Sequence, residues 1–115
     1  MLQEPFTIED FVRNERRILC LKGPLTISNL FDFQARVRSN NLSALILDLS
    51  GVPYMDSAGI GALVAAYVSY QKNGRSLALV GVGERLHNAL KITQVESLFQ
   101  LFDSLPAAEA AARTT

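Results

Sequence analysis

The chain has 115 residues, 49% of them hydrophobic, with eleven basic and eleven acidic side chains and no formal net charge. That length and apolar content predict one globular domain over residues 1–115 with a single core. The balanced, scattered charge excludes a sequence-wide attraction to nucleic acid or anionic lipid.

The start, Met1-Leu-Gln-Glu-Pro5, lacks the basic and apolar regions of a signal peptide. No apolar run approaches the roughly 20 residues needed to span a bilayer, so a cytoplasmic protein without direct membrane insertion is expected. Alternating Phe6 and Ile8 suggest a first strand over about residues 5–12. Arg13, Arg16 and Arg17 form the densest basic cluster, but Glu15 interrupts it and Glu9 and Asp10 precede it. A solvated strand end or turn explains it better than a nucleic-acid patch.

Arg17-Ile-Leu-Cys-Leu-Lys22 predicts a second strand, ended by Gly23-Pro24. Its lone Cys20 excludes an intramolecular disulfide and a cysteine-based zinc site, and its apolar neighbours predict a buried, inert thiol. Ser28-Asn29 can cap a helix to about Arg38, with Leu30, Phe33 and Val37 inward and Asn40-Asn41 closing it. Ser43 to Leu49 is almost continuously apolar, as in a strand covered on both faces. Asp48 interrupts it and is expected beside the site proposed below.

A helix follows over about residues 57–73, with Ile60, Leu63, Val64, Tyr67, Val68 and Gln71 along one stripe. Ala62, Ala65, Ala66 and Ser69 form a small-residue opposite side, and Gly74 terminates the helix. Ser76 to Gly81 is a further buried strand. Glu84 to about Ile92 is a short helix with Leu86, Ala89 and Leu90 inward. Ser97 to Phe102 predicts a last short strand, and Asp103-Ser104 with Pro106 starts an alanine-rich helix over about residues 105–113. Strands alternating with short helices give an α/β fold, a largely parallel or mixed sheet of four to five strands with about four helices.

Asp56-Ser57 is the pair most suggestive of function. It opens a helix, where backbone N–H groups are unpaired and the dipole favours negative charge. Helix capping alone explains an Asp or Ser there, contributing about 0.5–2 kcal/mol over alanine. Gly59 and Gly61 add a second signal, since each costs about 1 kcal/mol relative to alanine inside a helix. Either a partner approaches this backbone closely or the helix packs tightly on the sheet. Ala58, Ala62 and Ala65 would suit a flat docking surface.

Catalytic readings fit poorly. Met55 stands where a G-x-S-x-G elbow needs its first glycine, and His87 with Asp103 would give the wrong triad order. Gly81-Val-Gly83 carries Leu86 at the third glycine position of a dinucleotide fingerprint, so a tight strand-to-helix turn suffices. One His, one Cys and no spaced carboxylate cluster leave no metal site. No catalytic residues and no cofactor are expected; the chain looks like a protein acted upon.

Leu47-Asp-Leu-Ser-Gly-Val-Pro-Tyr-Met-Asp-Ser-Ala-Gly-Ile-Gly61 resembles the central motif of STAS domains, specifically bacterial anti-sigma factor antagonists. Leu21 to Thr26, Leu79 to Gly81, Arg85 to Ile92 and Leu98 to Asp103 extend the resemblance over most of the chain. The resemblance implies a protein that binds an anti-sigma factor of the GHKL-type serine kinase class and so frees a sigma factor. It implies phosphorylation of Ser57 as the off-switch and a PPM-type serine phosphatase that restores the hydroxyl. Met55, Asp56, Ala58, Gly59, Gly61, Ala62 and Thr26 are the expected partner-binding residues. A homodimer is left open. A second reading within the resemblance is a STAS scaffold or accessory subunit of a stress-sensing or membrane lipid-transport complex. Pro24 and Thr26 depart from the usual Gly-Glu-Leu-Asp pattern of the first loop, implying altered kinase recognition or another STAS branch.

Overall fold

The computed structural model describes residues 5–113. Residues 1–4, which include most of the N-terminal segment read above, and 114–115 lie outside the described residues. The elements are β1 (Thr7–Arg13), β2 (Arg16–Lys22), α1 (Leu30–Arg38), β3 (Ala44–Gly51), α2 (Ser57–Lys72), β4 (Ser76–Val80), α3 (Glu84–Ile92), a 3-10 turn (Glu96–Leu98), β5 (Gln100–Phe102) and α4 (Leu105–Arg113). One five-stranded sheet runs in the order β1-β2-β3-β4-β5. β1 is antiparallel to β2, and every other pair is parallel.

That order explains the layers. Three successive crossovers moving in one direction across a parallel sheet, each right-handed, bring their helices to the same face. Leu30, Phe33 and Val37 of α1, Leu63 and Ala66 of α2, and Leu86 and Leu90 of α3 accordingly share one core with Leu19, Leu47 and Leu79 of the strands. α4 lies on the other face, where Ala108 joins Ile18, Ile46 and Val80. β2, β3 and β4 read as apolar runs because helices cover both of their faces.

The first hairpin closes through Asn14 and Glu15, at φ of 52° and 65°. Arg17 pairs with Asp10, Arg36 reaches the same carboxylate at 3.1 Å, and Arg13 pairs with Glu109 of α4 at 2.6 Å. The arginine cluster lies at the strand ends around an exposed turn, as expected, and its side chains also serve as internal pairing devices. Arg17, with Arg36 adding to it, holds the Asp10 carboxyl below the usual carboxylate range against the opposing effect of burial.

At the far end of α2, buried Tyr70 donates its hydroxyl to the Val37 carbonyl at 3.2 Å and accepts from Asn40 Nδ2 at 2.7 Å. The Arg75 guanidinium lies 4.2 Å over the Tyr70 ring and donates to the carbonyls of Asn40 and Leu42. Gly74, at φ of 67°, ends the helix in the left-handed region as its sequence position predicts.

Three expectations change. The segment 97–102 is not all strand, because the 3-10 turn occupies its start and only Gln100–Phe102 pairs with β4. The buried stripe of α2 is rotated: Ala62, Ala66 and Tyr70 are buried, whereas Val68 is 40% exposed and Gln71 faces solvent. Small residues point inward there because α1 lies close alongside. Cys20 is half-buried rather than buried, with burial and the nearby Asp48 both raising its thiol pKa.

Candidate functional site

β3 delivers the chain to the carboxyl edge of the sheet, and residues 52–56 turn it into α2. Val52 and Met55 are buried and anchor this turn. A second loop, residues 23–29, runs alongside and is stitched to it by backbone bonds. The Gly23 amide donates to the Gly51 carbonyl at 2.9 Å, the Leu25 amide to Tyr54 at 3.3 Å, and the Asp56 amide back to Leu25 at 3.3 Å.

Asp56 completes the join. Its side chain accepts from the Gly59 amide at 2.8 Å, capping α2, and its other oxygen accepts from the Ile27 amide at 3.0 Å. One carboxylate thus satisfies donors of two segments. Asn29 acts within the loop rather than as the expected cap of α1. Its Oδ1 accepts from the Thr26 amide at 3.0 Å, and its Nδ2 donates to the Pro24 carbonyl at 2.9 Å. Thr26 turns its hydroxyl to the Ser28 amide at 3.3 Å.

Ser57 is the first residue of α2 and is exposed. Its own amide and that of Ala58 have no acceptor within the helix, as for any first turn. An anion on the Ser57 hydroxyl would sit against those groups and the positive end of the dipole. Asp56, with both oxygens already engaged, contributes the opposing negative charge.

The two glycines differ. A Cβ on Gly59 would stand 2.2 Å from the Leu25 carbonyl oxygen, so this glycine permits α2 to pack on the 23–29 loop. A Cβ on Gly61 would meet nothing within 4 Å, and Gly61 is exposed. Internal packing accounts for Gly59 alone.

Met55, Gly59 and Ala62 are buried, Thr26, Asp56 and Ala58 are half-buried, and Gly61 and Ser57 face solvent. The expected partner-binding residues therefore converge at one corner, with the buried three lying beneath its surface. Two exposed side chains there were not singled out in the sequence: Ile27, 62% exposed, and Phe31, 71% exposed. An exposed Phe one position from the inward Leu30 is the signal that could have found the second. Between α1 and α2 lies a shallow groove of about 310 Å³, edged by Gln34, Arg38, Ala65 and Ser69.

Asp48 is not beside this corner. It alternates with Leu47 and Leu49 and so points to the α4 face, where it accepts from the Ser50 amide at 3.0 Å and lies near Cys20. His87 meets Glu96 of the 3-10 turn, and Gly83 stands at the N-cap of α3. Among the described residues no three His, Cys, Asp or Glu side chains are grouped to hold a metal, and no helix is long and apolar enough to cross a membrane.

A family profile described as the STAS domain matches residues 8–108. The chain belongs to the STAS domain family. An anti-sigma-B factor antagonist of Listeria monocytogenes is 35% identical over 57 residues, half of this chain and half of that one. The match thus spans about half the length of that curated relative. The solved structure of an anti-sigma factor antagonist from Mycobacterium paratuberculosis superimposes with a TM-score of 0.85 at 21% identity, covering 97% of this chain and 99% of that one. That of the anti-sigma factor antagonist SpoIIAA in its unphosphorylated form gives a TM-score of 0.77 at 15% identity, covering 96% and 98%. The five-stranded mixed sheet with four helices is the STAS fold that the motif implied.

Proposed function

We propose that this STAS domain is an anti-sigma factor antagonist that binds an anti-sigma factor of the GHKL-type serine kinase class, frees a sigma factor, and is switched off by phosphorylation of Ser57. The observation that carries this reading is the exposed Ser57 at the first position of α2, beside an open Gly61 that no internal contact requires. The motif resemblance, the Listeria relative and the phosphorylation state named for SpoIIAA support it.

The docking surface would consist of Ser57, Ala58 and Gly61 on α2, flanked by Thr26, Ile27 and Phe31. Met55, Gly59 and Ala62 shape it from below, and Asp56 holds its two halves together. A phosphate adds about −1.5 to −2 charges and three acceptor oxygens. The helix start offsets part of that charge, by about 0.3–1 kcal/mol for an exposed anion. The domain stays folded while a neutral surface of small and apolar groups becomes anionic and bulky. Binding is then blocked without rearrangement of the fold, and a PPM-type phosphatase reverses it.

The test is a pull-down from native lysate with Ser57→Ala and Ser57→Asp forms as parallel baits and mass-spectrometric identification. Capture of a GHKL-type kinase by the alanine form and its loss from the aspartate form is the expected result. Equal capture of the same partners by both baits would leave Ser57 as a helix cap and overturn the switch.

A further inference from the structure

The outer edge of the sheet carries a self-complementary pattern that the Ser57 reading does not use. Among the described residues β1 is the edge strand, paired with β2 alone. Arg13 and Arg16 flank a two-residue turn whose residues both have positive φ, the arrangement of a type I′ hairpin. In such a hairpin the closing pair exchanges both backbone hydrogen bonds, and bonded pairs then alternate along the ladder. Arg13, Phe11, Glu9 and Thr7 therefore spend their backbone groups on β2. The N–H and C=O groups of Ile8, Asp10 and Val12 face outward.

The side chains of this edge are as telling. Phe11 is 37% and Val12 60% exposed. Glu9 is exposed, on the same face as Phe11 and Arg13. Arg13 uses Nε and Nη2 on Glu109, which among the described residues leaves its Nη1 donors uncommitted in a side chain that is 47% exposed.

We propose that β1 pairs antiparallel with β1 of a second copy of this chain, in a register centred on Phe11. Outward groups must meet outward groups, which leaves a short series of registers. Centring on Glu9 or Asp10 sets identical carboxylates face to face, which is destabilising. Centring on Val12 pairs Phe11 with Arg13 and leaves Glu9 beyond the partner strand. Centring on Phe11 gives four backbone hydrogen bonds, from Asp10 to Val12 of the other copy and the reverse. It also stacks the two Phe11 rings in a close non-hydrogen-bonded pair and sets each Glu9 opposite an Arg13. The result is an isologous two-fold contact that joins two sheets into one. It is a small interface, so the dimer forms by mass action at high concentration.

Sedimentation velocity from the micromolar to the near-millimolar range is the test. The expected result is a mass rising from that of one chain toward that of two, with association weakened about tenfold or more by Glu9→Arg, which sets like charges opposite each other. Glu9 is exposed and, among the described residues, its side chain makes no hydrogen bond or ion pair, so the variant should fold. Amide hydrogen exchange gives an independent reading: the Asp10 and Val12 amides slow with concentration, while the Phe11 amide, already bonded to β2, does not change. A monomer throughout the range would overturn the proposal. So would a dimer unchanged by Glu9→Arg with no protection of Asp10 and Val12.

Discussion

Ile27 and Asp56 stand 29 positions apart in the chain and meet through a 3.0 Å hydrogen bond from the Ile27 amide to the Asp56 carboxylate. The other oxygen of the same carboxylate caps α2 at Gly59. The loop before α1 and the start of α2 are therefore one mechanical unit, and the exposed Ile27 and Ser57 are held in fixed relation.

Replacing Asp56 should expose both halves of that unit. Asp56→Ala removes a cap contributing about 0.5–2 kcal/mol and a loop hydrogen bond of about 0.5–1.5 kcal/mol. Asp56→Asn keeps one acceptor and should fall between wild type and Asp56→Ala. Urea unfolding midpoints check the order, and equal stability of all three would refute the double role.

The two glycines of α2 should respond with opposite signs. Gly61→Ala adds a methyl group in open space and is expected to stabilise by about 0.5–1 kcal/mol. Gly59→Ala drives a methyl group against the Leu25 carbonyl and is expected to destabilise by about 1–3 kcal/mol. Thermal unfolding of the two single variants is sufficient to check this.

Tyr70→Phe should cost more than its size suggests. It removes the acceptor of Asn40 Nδ2 and the donor to Val37, in a site only 2% exposed. The expected loss is about 1–3 kcal/mol. Faster amide exchange at the end of α1 would locate the damage where the hydroxyl is bound.

Asp10 predicts a pH dependence. Arg17, with Arg36 in support, depresses its carboxyl pKa in the folded state below the unfolded value of about 4. The group therefore contributes stability that is fully present above that unfolded value and fades as pH falls toward the folded one. Asp10→Asn should be less stable than wild type at pH 7, and the gap should close on acidification below about pH 4. A gap that stays constant would assign its effect to packing instead.

The central strands were legible because burial on both faces leaves an unbroken apolar run, and β3 is such a run apart from Asp48. The start of α2 was legible in sequence, since Asp56, Ser57 and Gly59 lie within one helical turn and Asp56 caps it. The rotation of α2 was not, because alanine weighs little in an apolar pattern although Ala62 and Ala66 are buried where α1 comes close. The partners of Asp56 in the 23–29 loop were hidden for another reason: no local rule links residues so far apart in sequence. Asp48 was misplaced although strand alternation with Leu47 and Leu49 points it to the opposite face.

The sheet separates a face bearing three helices from one bearing α4 alone, and this partition has an evolutionary consequence. Among the described residues, the buried cluster beneath the α1 and α2 corner and the one beneath α4 share no side chain across the barrier of β2 and β3. The effects of substitutions on the two sides should add with little epistasis. Descendants of this chain can therefore acquire a new association on one side while inheriting the other intact.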